Sequence, residues 1–188
     1  SRIRPSQLGK SRLDSMRAWI NCAEPTMAVS HRRFLDQYAK FGVRPETLWT
    51  CYAMAETVFA VSQSTDGGPP KIERIDRERF QADNLAIPVD GDQVPSLEMM
   101  SGGLMIPGAE VKVVDNDLIS LPERSVGEIA IRSSSLFSGY FRDPSGTAKV
   151  LQDEWFYSGD LGYLVDDHLF ITGRKKDLII IAGKNYYP

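Results

Sequence analysis

An α/β fold is predicted for this chain by three features of its sequence. Two apolar runs, Met16 to Asn21 and Leu48 to Tyr52, flank a stretch whose apolar residues recur at helical spacing, the pattern of a strand–helix–strand unit and hence of a parallel sheet. After Leu97 the character changes to short alternating segments divided by turn residues, as in a small antiparallel β-barrel-like subdomain. Finally, Trp155 to Pro188 (WFYSGDLGYLVDDHLFITGRKKDLIIIAGKNYYP) joins an aromatic pair, an acid between glycines, an apolar hairpin, a basic corner and a short apolar strand in one run. Few structural needs explain all five together.

The elements follow in order. Met16 to Asn21 (MRAWIN) is short and mostly apolar and stops at Cys22-Ala23-Glu24-Pro25, so it reads as a buried strand feeding a loop. From about Met27 to Phe41, Phe34, Leu35, Tyr38 and Phe41 form an apolar face opposite Arg32, Arg33, Asp36, Gln37 and Lys40, and Gly42 supplies the stop of an amphipathic helix. Leu48 to Tyr52 (LWTCY) is a second buried strand that ends in Ala53-Met54-Ala55-Glu56-Thr57. From Gln63 to Pro95 the pattern weakens, with turns at Asp66-Gly67-Gly68-Pro69-Pro70 and Asp90-Gly91-Asp92 and a short strand around Lys71 to Ile75. Glu110 to Val114 and Gly127 to Arg132 are strands beyond that point, the first ending in the turn Asp115-Asn116-Asp117. Gly139-Tyr140-Phe141 makes a glycine-aromatic corner before a short helix over Ser145 to Leu151, and Tyr163 to Val165 pairs with His168 to Thr172 across Asp166-Asp167.

Bulk properties narrow the function. With 188 residues of which 42% are hydrophobic, the chain can bury a core of its own. Its 22 basic and 25 acidic residues are mixed along the chain and leave a net charge of −3, which gives no electrostatic footprint for nucleic acid or an anionic membrane. No apolar run approaches the roughly 20 residues that span a bilayer, and the first residues do not read as a secretory signal. Cys22, Cys51, His31 and His168 lie apart with no metal-ligand spacing and no disulfide framework, which fits a cytoplasmic setting.

Chemistry is expected where the two parallel strands end. Their loops open at the same edge of the sheet, and ligands of such sheets sit in the crevice outside the carboxyl ends of the strands. Tyr52 offers a flat ring for a base, Ala53 and Ala55 let a ligand approach the backbone, and Glu56 offers a carboxylate for a phosphate-bound metal. The plainer alternatives are a core tyrosine and a solvated glutamate. Asp160, between Gly159 and Leu161-Gly162, is an acid able to accept from two ribose hydroxyls, or else an Asx-turn that bonds its own backbone. Arg174 could reach ribose or phosphate oxygens, or simply cap a strand.

The segments NCAEP, YAMAE, GYFRDP with Thr147, YSGDLG and TGRKKDLIIIAGKNYYP occur in the order, and with roughly the separations, of the adenylate-forming superfamily of acyl-CoA synthetases, luciferases, fatty-acyl-AMP ligases and peptide-synthetase adenylation domains, which this chain resembles. The resemblance implies activation of a carboxylic acid by ATP to an acyl-adenylate, then transfer to CoA or a carrier-protein phosphopantetheine thiol. By position, Ala23, Glu24 and Pro25 would line the adenine, Tyr52 would stack on it, and Tyr52-Ala53-Met54-Ala55 would bind nucleotide. Glu56 would hold Mg2+, Asp160 the ribose hydroxyls, Ile171 the other adenine face and Arg174 the ribose.

Lys176 falls at that family's hinge, and Asp177 to Pro188 match the first hairpin of its small C-terminal domain, although a Lys-Lys pair also serves plain solubility. The implied division is a partial nucleotide-binding subdomain over 1–95, a β subdomain over 96–172 and a hinge segment over 173–188. Ala60 to Ser64 and Met99 to Gly103 would help line an acyl pocket.

Two departures bear on the function. Ala53-Met54-Ala55-Glu56 replaces the family's common Gly-x-Thr-Glu and, with the Asn-Tyr-Tyr-Pro ending, looks more like fatty-acyl-AMP ligases, while the short Lys149 to Glu154 segment keeps an ordinary fatty-acyl-CoA ligase in play. No Ser/Thr/Gly-rich phosphate loop ending in lysine occurs, so the chain is expected to be a piece of a longer enzyme and inactive alone. The alternative is a non-catalytic nucleotide-binding module of the same family.

Overall fold

A computed structural model of the chain describes residues 7–22, 26–64, 68–91 and 94–187. Strand β1 (Trp19–Asn21) is followed by helix α1 (Ala28–Tyr38) and strand β2 (Leu48–Ala53), and β1 lies parallel to β2 with Asn21 opposite Thr50. The βαβ unit expected from the sequence is present. Beyond Tyr38 the helix tightens into a 3-10 turn over Ala39–Phe41 and stops at Gly42, whose φ of 100° and contact with Asp14 exclude a β-carbon.

Past β2 every pairing is antiparallel. Strand β3 (Ala60–Gln63) returns along β2, and β4 (Ile72–Asp76) leads into helix α2 (Arg77–Asp83) and strand β5 (Ser96–Met100), which among the described residues pairs with β4 alone. Then come β6 (Leu104–Met105), β7 (Ala109–Val114), β8 (Gly127–Ser133), α3 (Pro144–Val150) and β9 (Leu151–Gln152). The chain ends with β10 (Trp155–Val165), β11 (His168–Arg174), β12 (Ile179–Ile181) and β13 (Lys184–Tyr186). The main sheet runs β1-β2-β3-β6-β11-β10-β8-β7, with β9 attached to β10. Its antiparallel part is open rather than closed among the described residues, because β3 and β6 splice it onto β2 and make it an extension of the parallel pair.

Two larger apolar clusters and a small one of Val114, Ala130 and Tyr157 hold this sheet. Of the larger two, the first gathers Ile75, Phe80, Ala86, Tyr163 and Phe170, and the second Tyr52, Val61, Ile129, Ile131, Phe156 and Leu169. The β4–β5 hairpin is tied to the main sheet by Glu73, which accepts from Tyr163 Oη at 2.7 Å and pairs with Arg124 at 3.3 Å.

Helix α2 and strand β3 escape a reading by periodicity, since α2 buries only Phe80 and β3 spans four residues. Asp76 is nonetheless a legible start signal, its carboxylate capping the amides of Glu78 and Arg79. The largest revision concerns β10, which begins eight residues before the expected hairpin, so Ser158-Gly159-Asp160 is an irregularity inside a strand rather than a free turn.

The β12–β13 hairpin has an anchored base and a bare strand. Leu178 and Tyr187 pack on the first cluster, Tyr187 Oη donates to Asn84 Oδ1 at 2.8 Å, and Ile179, Ile180 and Ile181 are all exposed.

Candidate functional site

The site is assembled on β2, β10 and β11. Paired β10 and β11 place Asp160 opposite Arg174, and β2 brings Tyr52 to the same carboxylate from a distant part of the sequence. Tyr52 Oη donates to Asp160 Oδ2 at 2.7 Å, and Arg174 Nε stands 3.4 Å from Asp160 Oδ1. The Asp160 side chain is 18% exposed and that of Arg174 60%, so the acid is fixed while its cation remains open to a ligand. Burial, and after it the charge of Asp160, pushes the Tyr52 phenol well above its ordinary range, which keeps it a donor. Each carboxylate oxygen retains acceptor capacity. Asp160 is thus not the self-bonded Asx-turn of the plainer alternative: its own amide donates to Ser158 Oγ, and its carboxylate faces Tyr52 and Arg174.

Tyr52 itself is 8% exposed. Its ring packs in the second apolar cluster beside Met54 and Ile171, which leaves only a margin of it for a ligand. Ala53 pairs with Ala60 and Met54 N–H donates to Phe59 O, so the segment after Tyr52 is held by backbone bonds. Ala55 begins a 3-10 turn over Ala55–Thr57 that carries Glu56.

Glu56 is held from a second direction. Its carbonyl accepts from Phe137 N–H at 2.8 Å, and its Oε1 accepts from Tyr140 Oη at 3.0 Å. The corner that delivers Tyr140 is itself tied: Tyr140 N–H donates to Thr147 Oγ1, Thr147 Oγ1 donates to Asp143 O, and Gly146 N–H donates to Asp143 Oδ1. Sequence reasoning placed Gly139-Tyr140-Phe141 at a corner but gave Tyr140 no role; an aromatic hydroxyl after glycine, far from any strand, was the available signal.

No group of three or more His, Cys, Asp or Glu residues among the described residues could hold a metal by itself. A single glutamate suits Mg2+ that arrives with a polyphosphate, because that ion keeps waters and phosphate oxygens and takes only one or two carboxylates. Lys176 is exposed on the 3-10 turn Lys175–Asp177, next to Lys175, whose ammonium donates to Glu128 at 2.9 Å. Ala23, Glu24 and Pro25 lie outside the described residues. The two segments expected to line an acyl pocket meet each other: Ser62 Oγ donates to Gly102 O, and Val61, Ser62 and Ser101 are fully buried. No helix among the described residues is long and apolar enough to cross a membrane.

Known proteins resemble this chain in sequence and fold. The chain is 30% identical to the long-chain-fatty-acid–AMP ligase FadD32 of Mycolicibacterium smegmatis over 195 residues, covering 94% of this chain and 31% of that protein. It is 32% identical to the long-chain-fatty-acid–AMP ligase FadD26 of Mycobacterium tuberculosis over 181 residues, covering 90% of this chain and 31% of that protein. A chain from structural work on fatty acyl-adenylate ligases of E. coli and L. pneumophila superposes with a TM-score of 0.92 at 30% identity, covering all of this chain and 34% of that one. The L. pneumophila fatty acyl-adenylate ligase in complex with acyl adenylate and pyrophosphate superposes with a TM-score of 0.85 at 32% identity, over 94% of this chain and 32% of that one. The chain therefore spans about a third of the length of the relatives it matches. Residues 3–141 match the AMP-binding enzyme family. The described fold and these likenesses agree, and the chain belongs to the AMP-binding enzyme family.

Proposed function

We propose that this chain supplies the nucleoside grip of an ATP-dependent ligase that activates a carboxylic acid, of the fatty acid class, as its acyl-adenylate. The observation that carries the reading is Asp160, a largely shielded acid held by Tyr52 and flanked by an exposed Arg174. A carboxylate fixed in this way takes both ribose hydroxyls without rearranging, and the arginine closes over the ribose. Tyr52 contributes chiefly by aiming Asp160, with the margin of its ring, Ile171 and the Ala53-Met54-Ala55 backbone bordering the base; Ala23, Glu24 and Pro25 would complete the adenine wall.

In the reaction, an oxygen of the substrate carboxylate attacks the α-phosphorus of ATP, the bond to the bridging oxygen breaks, and pyrophosphate leaves with the electron pair. Mg2+, brought by the nucleotide, would neutralise charge on the phosphates. Glu56 would hold that ion, with Tyr140 keeping its carboxylate in place. Lys176 would be the hinge about which a C-terminal domain turns between half-reactions, and the acyl group would pass to the thiol of CoA or of a carrier protein. The whole-protein setting proposed is cytoplasmic, where ATP and these thiols are available. Residues 1–95, 96–172 and 173–188 would act as nucleotide-binding, β and hinge parts.

The test is ATP–pyrophosphate exchange in the full-length protein. Exchange that rises with added fatty acids and disappears in Asp160→Ala is expected; exchange indifferent to every carboxylic acid would overturn the reading. Binding of an acyl-adenylate mimic without any exchange would assign the chain to a non-catalytic nucleotide-binding module. The 188-residue chain alone is expected to show no turnover.

A further inference from the structure

The turn that carries Asp160 is not self-supporting. The register of β10 against β8 shifts between Tyr157 and Leu161, so Ser158, Gly159 and Asp160 bow away from the ladder. Gly159 has a φ of 71°, a conformation that glycine adopts at little cost. Ladder bonds are lost along such a bow, and β8 replaces them. Ser158 Oγ donates to Ile129 O at 2.8 Å, and Gly159 N–H donates to Glu128 Oε1 at 3.1 Å.

The second oxygen of Glu128 is also engaged. Glu128 Oε2 accepts from Lys175 Nζ at 2.9 Å, while the Glu128 side chain is only 11% exposed. Lys175 follows Arg174 directly and opens the 3-10 turn that contains Lys176. One carboxylate therefore joins the backbone of the Asp160 turn to the segment where the hinge is proposed. Glu128 and Lys175 share the lining of a cavity of about 370 Å³ with Leu161, Leu178 and Tyr187.

We infer that Glu128 is a positioning residue for the nucleoside site: it holds the Asp160 turn through Gly159 N–H, and its ion pair with Lys175 makes that hold depend on the setting of the hinge segment. This rests on the proposed function, and it assigns to Glu128 and Lys175 a role separate from ligand contact. Movement of the segment after Arg174 would draw Lys175 away, release one side of Glu128 and loosen the acid that grips the ribose, which would couple nucleoside release to the hinge.

The experiment measures binding of a non-hydrolysable acyl-sulfamoyl adenosine, and of its 2′,3′-dideoxy counterpart, to the full-length protein by calorimetry, with thermal melts on every variant. Failure of the wild type to bind would sink the proposed function itself. Given that binding, Glu128→Met fills the space without either acceptor and is expected to weaken the ribose ligand about tenfold while leaving the dideoxy ligand within about twofold, because a charge-assisted grip on hydroxyls is what is lost. Glu128→Gln keeps the acceptor for Gly159 and loses the ion pair, so it should weaken binding only about threefold, as should Lys175→Met, and the double variant should go no further. Equal loss for both ligands would mean a merely structural role and would overturn the inference, as would wild-type affinity in Glu128→Met. Should Glu128→Met not fold, Lys175→Met and the double variant decide: wild-type affinity or additive losses would overturn it.

Discussion

Two tyrosine–carboxylate–arginine clusters occur among the described residues, at nearly the same distances. Asp160 accepts from Tyr52 at 2.7 Å and stands 3.4 Å from Arg174; Glu73 accepts from Tyr163 at 2.7 Å and stands 3.3 Å from Arg124. What separates them is how the third member is held. Arg124 also donates to Ala86 O and is 30% exposed, and the Glu73 side chain is 12% exposed. Arg174 sits at a strand end with twice that exposure. Tyr163 is fully buried and stacked parallel on Phe170 at 4.9 Å. The Glu73 cluster turns its hydrogen bonds into the fold and acts as a staple, whereas the Asp160 cluster keeps its arginine exposed toward a ligand.

Removing the acid should separate the two most sharply. Asp160→Ala in the full-length protein is expected to lower fatty-acid-dependent exchange by about a hundredfold or more, a loss of about 2.7 kcal/mol in transition-state stabilisation, with a smaller cost in stability than Glu73→Ala incurs. Glu73→Ala strands a buried phenol and frees an arginine, and should cost about 2–4 kcal/mol of stability while the folded fraction binds an adenylate mimic normally. A reversal, in which Glu73→Ala costs affinity and Asp160→Ala costs mainly stability, would break the comparison.

The tyrosines give the next contrast. Tyr163→Phe leaves Glu73 with one partner and is expected to cost about 1.5–3 kcal/mol in denaturant unfolding, the scale of a buried hydrogen bond to a charged group. Tyr52→Phe removes only the hydroxyl that aims Asp160, so nucleoside affinity should fall about fivefold while stability changes by about 1 kcal/mol. Should Tyr52→Phe leave affinity untouched, its ring rather than its hydroxyl would be the contributing part.

The contrast between these clusters also marks what could be read from the chain. Asp160 and Arg174 were identifiable because glycines and a strand end isolate them in sequence. Glu73 and Tyr163 are 90 residues apart in segments of weak or short pattern, and no local signal joins them. The β1–α1–β2 unit was legible because burial dictates composition over whole elements, whereas the route of β3 and β6 through the sheet depends on pairing across distant segments. Tyr140 and Glu128 were missed for the same reason, since each acts on a partner that only the fold brings near.

A smaller effect is expected where a buried polar group has a neutral partner. His31 is buried on α1, and its Nε2 lies 3.2 Å from Asn21 Nδ2 at the end of β1. Burial lowers its pKa below the ordinary value near 6.5, so the folded ring is neutral and Nε2 accepts the amide N–H. The unfolded chain then binds the proton more readily, and the stability from this contact is complete above about pH 6.5 and declines as pH falls below it. Melting temperature measured between pH 7.5 and 5 should drop on the acid side, and His31→Gln, which cannot titrate, should flatten that part of the slope. An unchanged slope would place the acid sensitivity elsewhere.

The smallest expected effect belongs to a buried polar group with no partner at all. Thr172 lies on β11 between Ile171 and Arg174, and its buried Oγ1 has no hydrogen-bond partner among the described residues. The register between β10 and β11 shifts at Thr172, which has no partner residue between the Leu161–Gly173 and Gly162–Ile171 pairs. An unmade hydrogen bond still carries the cost of desolvation, so exchange for an apolar group of the same shape removes a penalty rather than a contact. Thr172→Val should therefore raise the denaturant midpoint, by about 0.5–1 kcal/mol in free energy, and leave the affinity for an adenylate mimic unchanged. A loss of affinity instead would show that this hydroxyl, like the open side of Asp160, is kept for the ligand, and the division between staple and grip would then extend one residue further along β11.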